Sequence, residues 1–274
     1  MEWWQSIILG LVQGLTEFLP VSSSGHLAIG RWLLGTEAGG DLVFEVAVHA
    51  ATVCATIVVF RKQIARLLSG LFRFRYNPET DYILKICVSM VPVLVVGVFF
   101  KDNVEAAFSS LTVVGGALLL TALLLFLSDL RGERVASGEG ASVVQDEAPA
   151  AGRIGWWQAF VVGIAQACAV IPGLSRSGST ISAGLLCGMK RSDVAQFSFL
   201  MVLVPILGEA LLDVVGGDMA ASATGLLPLA LGFVSAFVSG LFACRVMIAL
   251  VKRARLKWFA LYCAVVGVLT LILS

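Results

Sequence analysis

The chain has 274 residues, 58% of them apolar and 14% charged, with a formal net charge of +1 and a mean hydropathy of +0.94. Soluble domains run near half apolar and a quarter charged, so these proportions describe an integral membrane protein. A near-neutral balance with a pI near 7.6 excludes the basic face that nucleic-acid binding requires.

The opening Met1, Glu2, Trp3, Trp4 has no basic region before its apolar run and no small-residue cleavage site after it, so no removable signal peptide is expected. A first apolar region, 5 to 35, is interrupted by Pro20 with Ser22, Ser23 and Ser24. It reads as a re-entrant helical hairpin. Apolar runs follow at 42 to 60, 82 to 100 and 111 to 130. A second broken region, 156 to 190, is interrupted by Pro172 with Ser175, Arg176 and Ser177, and runs at 193 to 215, 224 to 250 and 258 to 273 complete the chain. About 20 residues of helix cross a bilayer core of ~30 Å, so six full spans are expected.

Excess Lys and Arg stays cytoplasmic. The connections 61 to 75 (Arg61, Lys62, Arg66, Arg73, Arg75), 131 to 155 (Arg131, Arg134, Arg153) and 251 to 257 (Lys252, Arg253, Arg255, Lys257) are therefore placed inside. The connections 101 to 110, with Lys101 alone, and 216 to 223, with no basic residue, are placed outside. Threaded this way, the two broken hairpins enter from opposite faces.

Setting residue n beside n+153 pairs Trp4 with Trp157, Gln5 with Gln158, Gly10 with Gly163, Gln13 with Gln166, Gly25 with Gly178 and Phe44 with Phe197. Each half then holds one broken hairpin and three spans, and an odd number of spans inverts the second copy. The expected fold is an all-α polytopic membrane protein, a single membrane domain with an inverted-topology repeat: residues 1 to 130, a cytoplasmic linker of 131 to 155, and residues 156 to 274. Secondary transporters are commonly built this way, with the site where half-helix ends meet. The two breaks are expected to face one another at one site.

The polar residues concentrate at those breaks. Gln13 and Glu17 are one helical turn apart, and a carboxylate inside an apolar run is costly unless partnered. Ser23 and His26, three apart, place a hydroxyl and an imidazole on one helix face, as a base that activates a weak nucleophile would be. The same serines are also good caps for a helix start. In the second break, Gly173 and Gly178 permit tight turns, Ser175, Ser177 and Thr180 supply donors, and Arg176 can grip two phosphate oxygens. The plainer reading of Arg176 is neutralisation of Glu17, but the donors in the two breaks exceed what one ion pair needs. Elsewhere, Glu45 and His49 are one turn apart and read as a mutual pair, Arg245 as a snorkelling residue, and Glu209 and Asp213 as outer-end residues. The six cysteines, Cys54, Cys87, Cys168, Cys187, Cys244 and Cys263, lie in apolar runs without a Cys-x-x-Cys pair and read as small buried hydrophobes.

At these residues the chain resembles the bacterial undecaprenyl-diphosphate phosphatase family, also known for bacitracin resistance. The family's (Glu/Gln)-x-x-x-Glu motif is matched by Gln13 to Glu17, its Pro-Val-Ser-Ser-(Ser/Thr)-Gly-His by Pro20 to His26, and its Pro-Gly-x-Ser-Arg-Ser-Gly-x-Thr by Pro172 to Thr180. Weaker matches lie at Phe44 to His49 and Phe197 to Met201; Ala51 stands where the family usually has Gly. The resemblance implies hydrolysis of a C55 polyprenyl diphosphate to its monophosphate and inorganic phosphate, which recycles the lipid carrier of cell-wall synthesis. It implies a multi-pass protein of the bacterial cytoplasmic membrane with its site open to the outer face, and leaves monomer or homodimer open. In that frame Ser23 is the nucleophile, His26 its base and later acid, Arg176 the transition-state clamp and Glu17 a proton or metal partner. Gln13, Ser22, Ser24, Gly173, Ser175, Ser177, Gly178 and Thr180 then bind substrate. A divalent cation, Mg²⁺ or Ca²⁺, is expected to arrive with the diphosphate. Fragments such as Ser24-Gly25-His26 also echo lipid phosphatases with a histidine nucleophile, but the chain has two histidines and His49 lacks the accompanying motif. The competing function is a transporter or flippase for a lipid phosphate or other anion, which would have no need of the Ser23 and His26 pair.

Overall fold

The computed structural model describes residues 1–36, 42–100, 107, 110–136, 153–208, 224–253 and 255–274, and these residues contain helices and no strand. Helix α1 (Trp3–Phe18) stops because Leu19 precedes Pro20 and is driven to an extended conformation, φ −73° and ψ 145°. Helix α2 (Ser23–Leu34) then ends on Gly35 in the left-handed region. Helix α3 (Leu42–Val59) is followed, after a bend of 79°, by α4 (Arg61–Leu71). Asn77 caps α5 (Pro78–Phe99), its side chain accepting from the Thr80 amide at 2.8 Å, and α6 covers Leu111–Ala136. The second half holds α7 (Trp156–Cys168), α8 (Arg176–Leu186), α9 (Arg191–Met201), α10 (Leu226–Arg253) and α11 (Lys257–Leu273).

Four stretches are long and apolar enough to cross a membrane: Pro78–Phe99, Leu111–Arg131, Arg191–Gly208 and Leu226–Ile248, with α3 and α4 together a bent fifth. The six full spans expected from sequence are thus four or five among the described residues. The 18 residues of α3 rise about 27 Å and the 17 of α11 slightly less, short of a ~30 Å core. Residues 61 to 71, expected as a connection, are helical: basic side chains alternate there with Ile64, Leu67, Leu68 and Leu71 on an amphipathic period. The expected linker and the connections at 101 and 216, with Lys101, Glu209 and Asp213, lie largely outside the described residues.

Equivalent contacts recur 153 residues apart. Gln5 Oε1 accepts the Glu2 amide at 2.8 Å while its Nε2 donates to the Leu34 carbonyl at 3.1 Å; Gln158 makes the same bonds to Gly155 and Cys187 at 2.7 and 3.0 Å. Helix α1 packs on α10 of the second half, and α7 packs on α5 of the first. Both contacts need a glycine. A side chain at Gly10 would run into Ser235 and the Gly232 carbonyl, and one at Gly163 into the Ser89 backbone, the close helix approach that small residues permit in membranes. Helices α6 and α11 pack together between the halves, and at one end buried Asp129 joins them by accepting from Arg191 at 2.7 Å and the Lys257 amide at 3.2 Å.

Phe44 and Phe197, 153 residues apart, are both fully buried, whereas Val98, Phe99, Phe242 and Ile272 point outward. That outward apolar surface corrects the reading of the cysteines. Only Cys244 and Cys263 are buried; Cys54, Cys87 and Cys168 are exposed, because an apolar residue in a membrane helix is as well placed facing lipid as facing the core.

Candidate active site

The two breaks meet. The Ser177 hydroxyl at the start of α8 donates to the Leu19 carbonyl at 3.0 Å, one of the carbonyls that the end of α1 leaves without an intrahelical partner. Gly25 lies directly against Gly173. Both helices after the breaks are capped by serine: Ser22 Oγ accepts from the Gly25 amide at 3.2 Å, and Ser175 Oγ from the Gly178 amide at 3.1 Å. Two helix N-termini, each attractive to anions, therefore begin at Ser23 and Arg176. Ser22 has φ 71°, a strained backbone for a non-glycine residue of the kind that collects at functional sites.

Glu17 is the centre of the polar contacts. Its Oε2 accepts from Ser23 Oγ at 2.6 Å and from Gln13 Nε2 at 2.8 Å, with His49 Nε2 at 3.9 Å. Arg176 lines the same cavity as Glu17, about 20 Å³ in volume and shared with Thr52, Thr56, Ser177 and Ser198, a space for roughly one water. Among the described residues no hydrogen-bonded ion pair joins Arg176 to Glu17, but the two charges share one cavity and attract one another across it.

Ser23 and His26 lie on the same helix but turn to different partners. Ser23 faces Glu17, while His26 Nδ1 lies 2.7 Å from the Ser22 carbonyl and Nε2 2.7 Å from the Tyr262 hydroxyl on α11. Ser24 Oγ is 3.3 Å from Ser22 Oγ. In the second break Ser175 Oγ is 3.4 Å from Ser177 Oγ, and Thr180 Oγ1 is 2.5 Å from Ser198 Oγ and 2.9 Å from the Arg176 carbonyl. The expected Glu45 and His49 pair does not form through side chains. Glu45 pairs with Arg31, and His49 Nδ1 sits 2.9 Å from the Glu45 backbone carbonyl, which frees its other nitrogen to face Glu17. Arg245 is exposed.

Several residues of the site were not singled out from sequence. Buried Thr121 on α6 braces the second break: its Oγ1 accepts from the Ser175 amide at 2.9 Å and lies 3.3 Å from the Gly173 carbonyl, where φ is 90°. Thr52, Thr56 and Ser198 line the cavity, and Tyr262 reaches His26. A polar residue at helical spacing in an apolar run is the available signal, and it does not say which break the residue serves.

For a cation, no cluster of three or more His, Cys, Asp or Glu is present among the described residues. The donor set does suit a hard cation that brings its own oxygens. Gln13 Oε1 is buried without a hydrogen-bond partner beside the Glu17 carboxylate, and amide and carboxylate oxygens are what Mg²⁺ and Ca²⁺ take alongside phosphate.

A helical membrane protein whose two broken hairpins bring serine, carboxylate and arginine together belongs to the class of intramembrane enzymes built around one polar site. Residues 6–269 match the family model of Bacitracin resistance protein BacA, and the chain belongs to that family. It is 52% identical to the undecaprenyl-diphosphatase of Bacteroides fragilis over 100% of this chain and 99% of the relative. It is 53% identical to that of Parabacteroides distasonis, covering 99% and 98% of the two chains. The undecaprenyl-diphosphatase of Oceanobacillus iheyensis is 37% identical, covering 97% and 94%.

Proposed function

We propose that the protein hydrolyses undecaprenyl diphosphate to undecaprenyl phosphate and inorganic phosphate, recycling the lipid carrier of the cell wall. The observation that carries the mechanism is the 2.6 Å hydrogen bond from Ser23 Oγ to Glu17 Oε2, within the range of a nucleophile and its base. Ser23 Oγ attacks the terminal phosphorus as its proton passes to Glu17. The bond from that phosphorus to the bridging oxygen breaks, the lipid monophosphate leaves with the electron pair, and Ser23 carries the phosphoryl group. Water then attacks the phosphoserine, Glu17 returns its proton to Ser23 Oγ, and His26 takes up the proton of the water. Arg176 and the two helix N-termini stabilise the charge on the equatorial oxygens. Base for the first step is thus assigned to Glu17 in place of His26, because Ser23 Oγ donates to the Glu17 carboxylate and not to the imidazole. Ser22, Ser24, Gly173, Ser175, Ser177, Gly178 and Thr180 shape the walls that receive the phosphates. A bound Mg²⁺ or Ca²⁺, held by Glu17 and Gln13 Oε1, would neutralise diphosphate charge.

The same reading includes an inverted repeat in the cytoplasmic membrane, with the site open to the outer face. The hydrogen bonds repeated 153 residues apart, the packing of each half's first helix on the other half, and the alternation of basic connections support it. The test is phosphate release from the C55 diphosphate by purified protein, beside Ser23→Ala and Arg176→Ala, with and without chelator. Release by the wild type alone is expected, with loss under chelator. Equal release by either variant would overturn the residue roles, and lipid movement in sealed vesicles without release would favour a carrier.

A further inference from the structure

We propose that Tyr262 orients His26 and relays to its Nε2 the proton of the attacking water; the proposal rests on the phosphatase reading above for its catalytic purpose. His26 Nδ1 lies 2.7 Å from the Ser22 backbone carbonyl oxygen, which can only accept, so the ring hydrogen is on Nδ1. Nε2 is then a lone pair, and the Tyr262 hydroxyl at 2.7 Å donates to it. The rings are also stacked, 5.6 Å between centroids and 8° between planes, so the tyrosine holds the orientation of the imidazole, whose tautomer the Ser22 carbonyl sets.

The two residues are 236 positions apart, on α2 of the first half and α11 of the second. The next residue of α11, Cys263, is buried and directs its thiol at the Pro20 carbonyl, 3.6 Å away. One helix turn of α11 therefore supports both the first break and the histidine that follows it. A hydroxyl bonded to an imidazole nitrogen can accept a proton from water as it gives its own to the ring. Here that nitrogen is Nε2, so the Tyr262 hydroxyl gives its proton to the ring as it takes the one that the attacking water loses.

The decisive experiment combines nitrogen NMR with turnover, using full-length protein in detergent. The chain has two histidines, so ¹⁵N-histidine labelling gives two sets of ring signals, and His49→Gln identifies those of His26. The wild type is expected to show an Nδ1–H tautomer with a hydrogen-bonded Nε2. Tyr262→Phe keeps the ring and removes the donor: the Nε2 signal should move toward that of an unbonded nitrogen, and kcat should fall about threefold to tenfold, the weight of one oriented hydrogen bond, with KM within about twofold. Tyr262→Ala, which also loses the stack, should fall further. In a His26→Ala background, Tyr262→Phe should cost nothing more. An unchanged Nε2 signal in Tyr262→Phe, an unchanged kcat despite a shifted signal, or an undiminished loss in the His26→Ala background would each overturn the proposal. Absence of phosphate release from the wild type would instead overturn the phosphatase reading and the purpose of the contact, while the nitrogen signals still decide whether the contact exists.

Discussion

At the first break Ser22 caps α2 through the Gly25 amide, and at the second Ser175 caps α8 through the Gly178 amide, yet the residue after the cap is Ser23 in one and Arg176 in the other. The divergence continues along the 153-residue offset: Glu17 stands opposite Val170, and His26 opposite Ser179, whose hydroxyl is buried without a partner. The serine cap of the break thus recurs in both, while the residues around it differ. In the proposed mechanism the first break carries the nucleophile and the proton carriers, and the second carries the cation. A single re-entrant break could hardly hold both, because a serine and an arginine cannot occupy the same first position of one helix.

The division is sharpest where the expected losses are largest. Ser23→Ala should lower kcat by on the order of 10³-fold or more, and Glu17→Gln by a comparable factor, measured as phosphate release from protein verified to be folded. Arg176→Ala should cost about 10² to 10³-fold; Arg176→Lys should restore only part, since an ammonium lacks the planar two-pronged contact with phosphate. If Arg176→Ala were harmless, the second break would be mere support for the first. Thr121→Val should act on stability more than on chemistry. It leaves the Ser175 amide without its 2.9 Å acceptor, a buried loss of about 1–3 kcal/mol, readable as a lower thermal midpoint in detergent. Gly163→Ala should loosen the α5 and α7 contact and lower that midpoint, whereas Gly97→Ala, where an added methyl meets open space, should leave it within about 0.5 kcal/mol.

The breaks were legible in the sequence because their causes are local. Proline forbids the helix behind it, serine caps the helix ahead, and charges in an apolar run cannot be accidental. Membrane character was legible for the same reason. The bend into α4 was not: basic residues mark a cytoplasmic segment equally well as loop or as amphipathic helix. The partner of Ser23 was also hidden. Spacing of three along α2 pointed to His26, but the carboxylate that receives the hydroxyl comes from α1, folded back across the proline. Glu45 misled in the same way, since Arg31 from α2 was nearer than its own turn neighbour. Thr121 and Tyr262 reach the breaks from helices remote in sequence, and no local pattern announces such a contact.

The central claim is that Ser23 is the nucleophile with Glu17 as its base. It is tested most directly by acid-quenching the protein during turnover of C55 diphosphate labelled in the terminal phosphate, then locating the label by peptide mass spectrometry. The account predicts a phosphoryl group on Ser23, absent in Ser23→Ala. Label on His26, or undiminished turnover by Ser23→Ala, would contradict it.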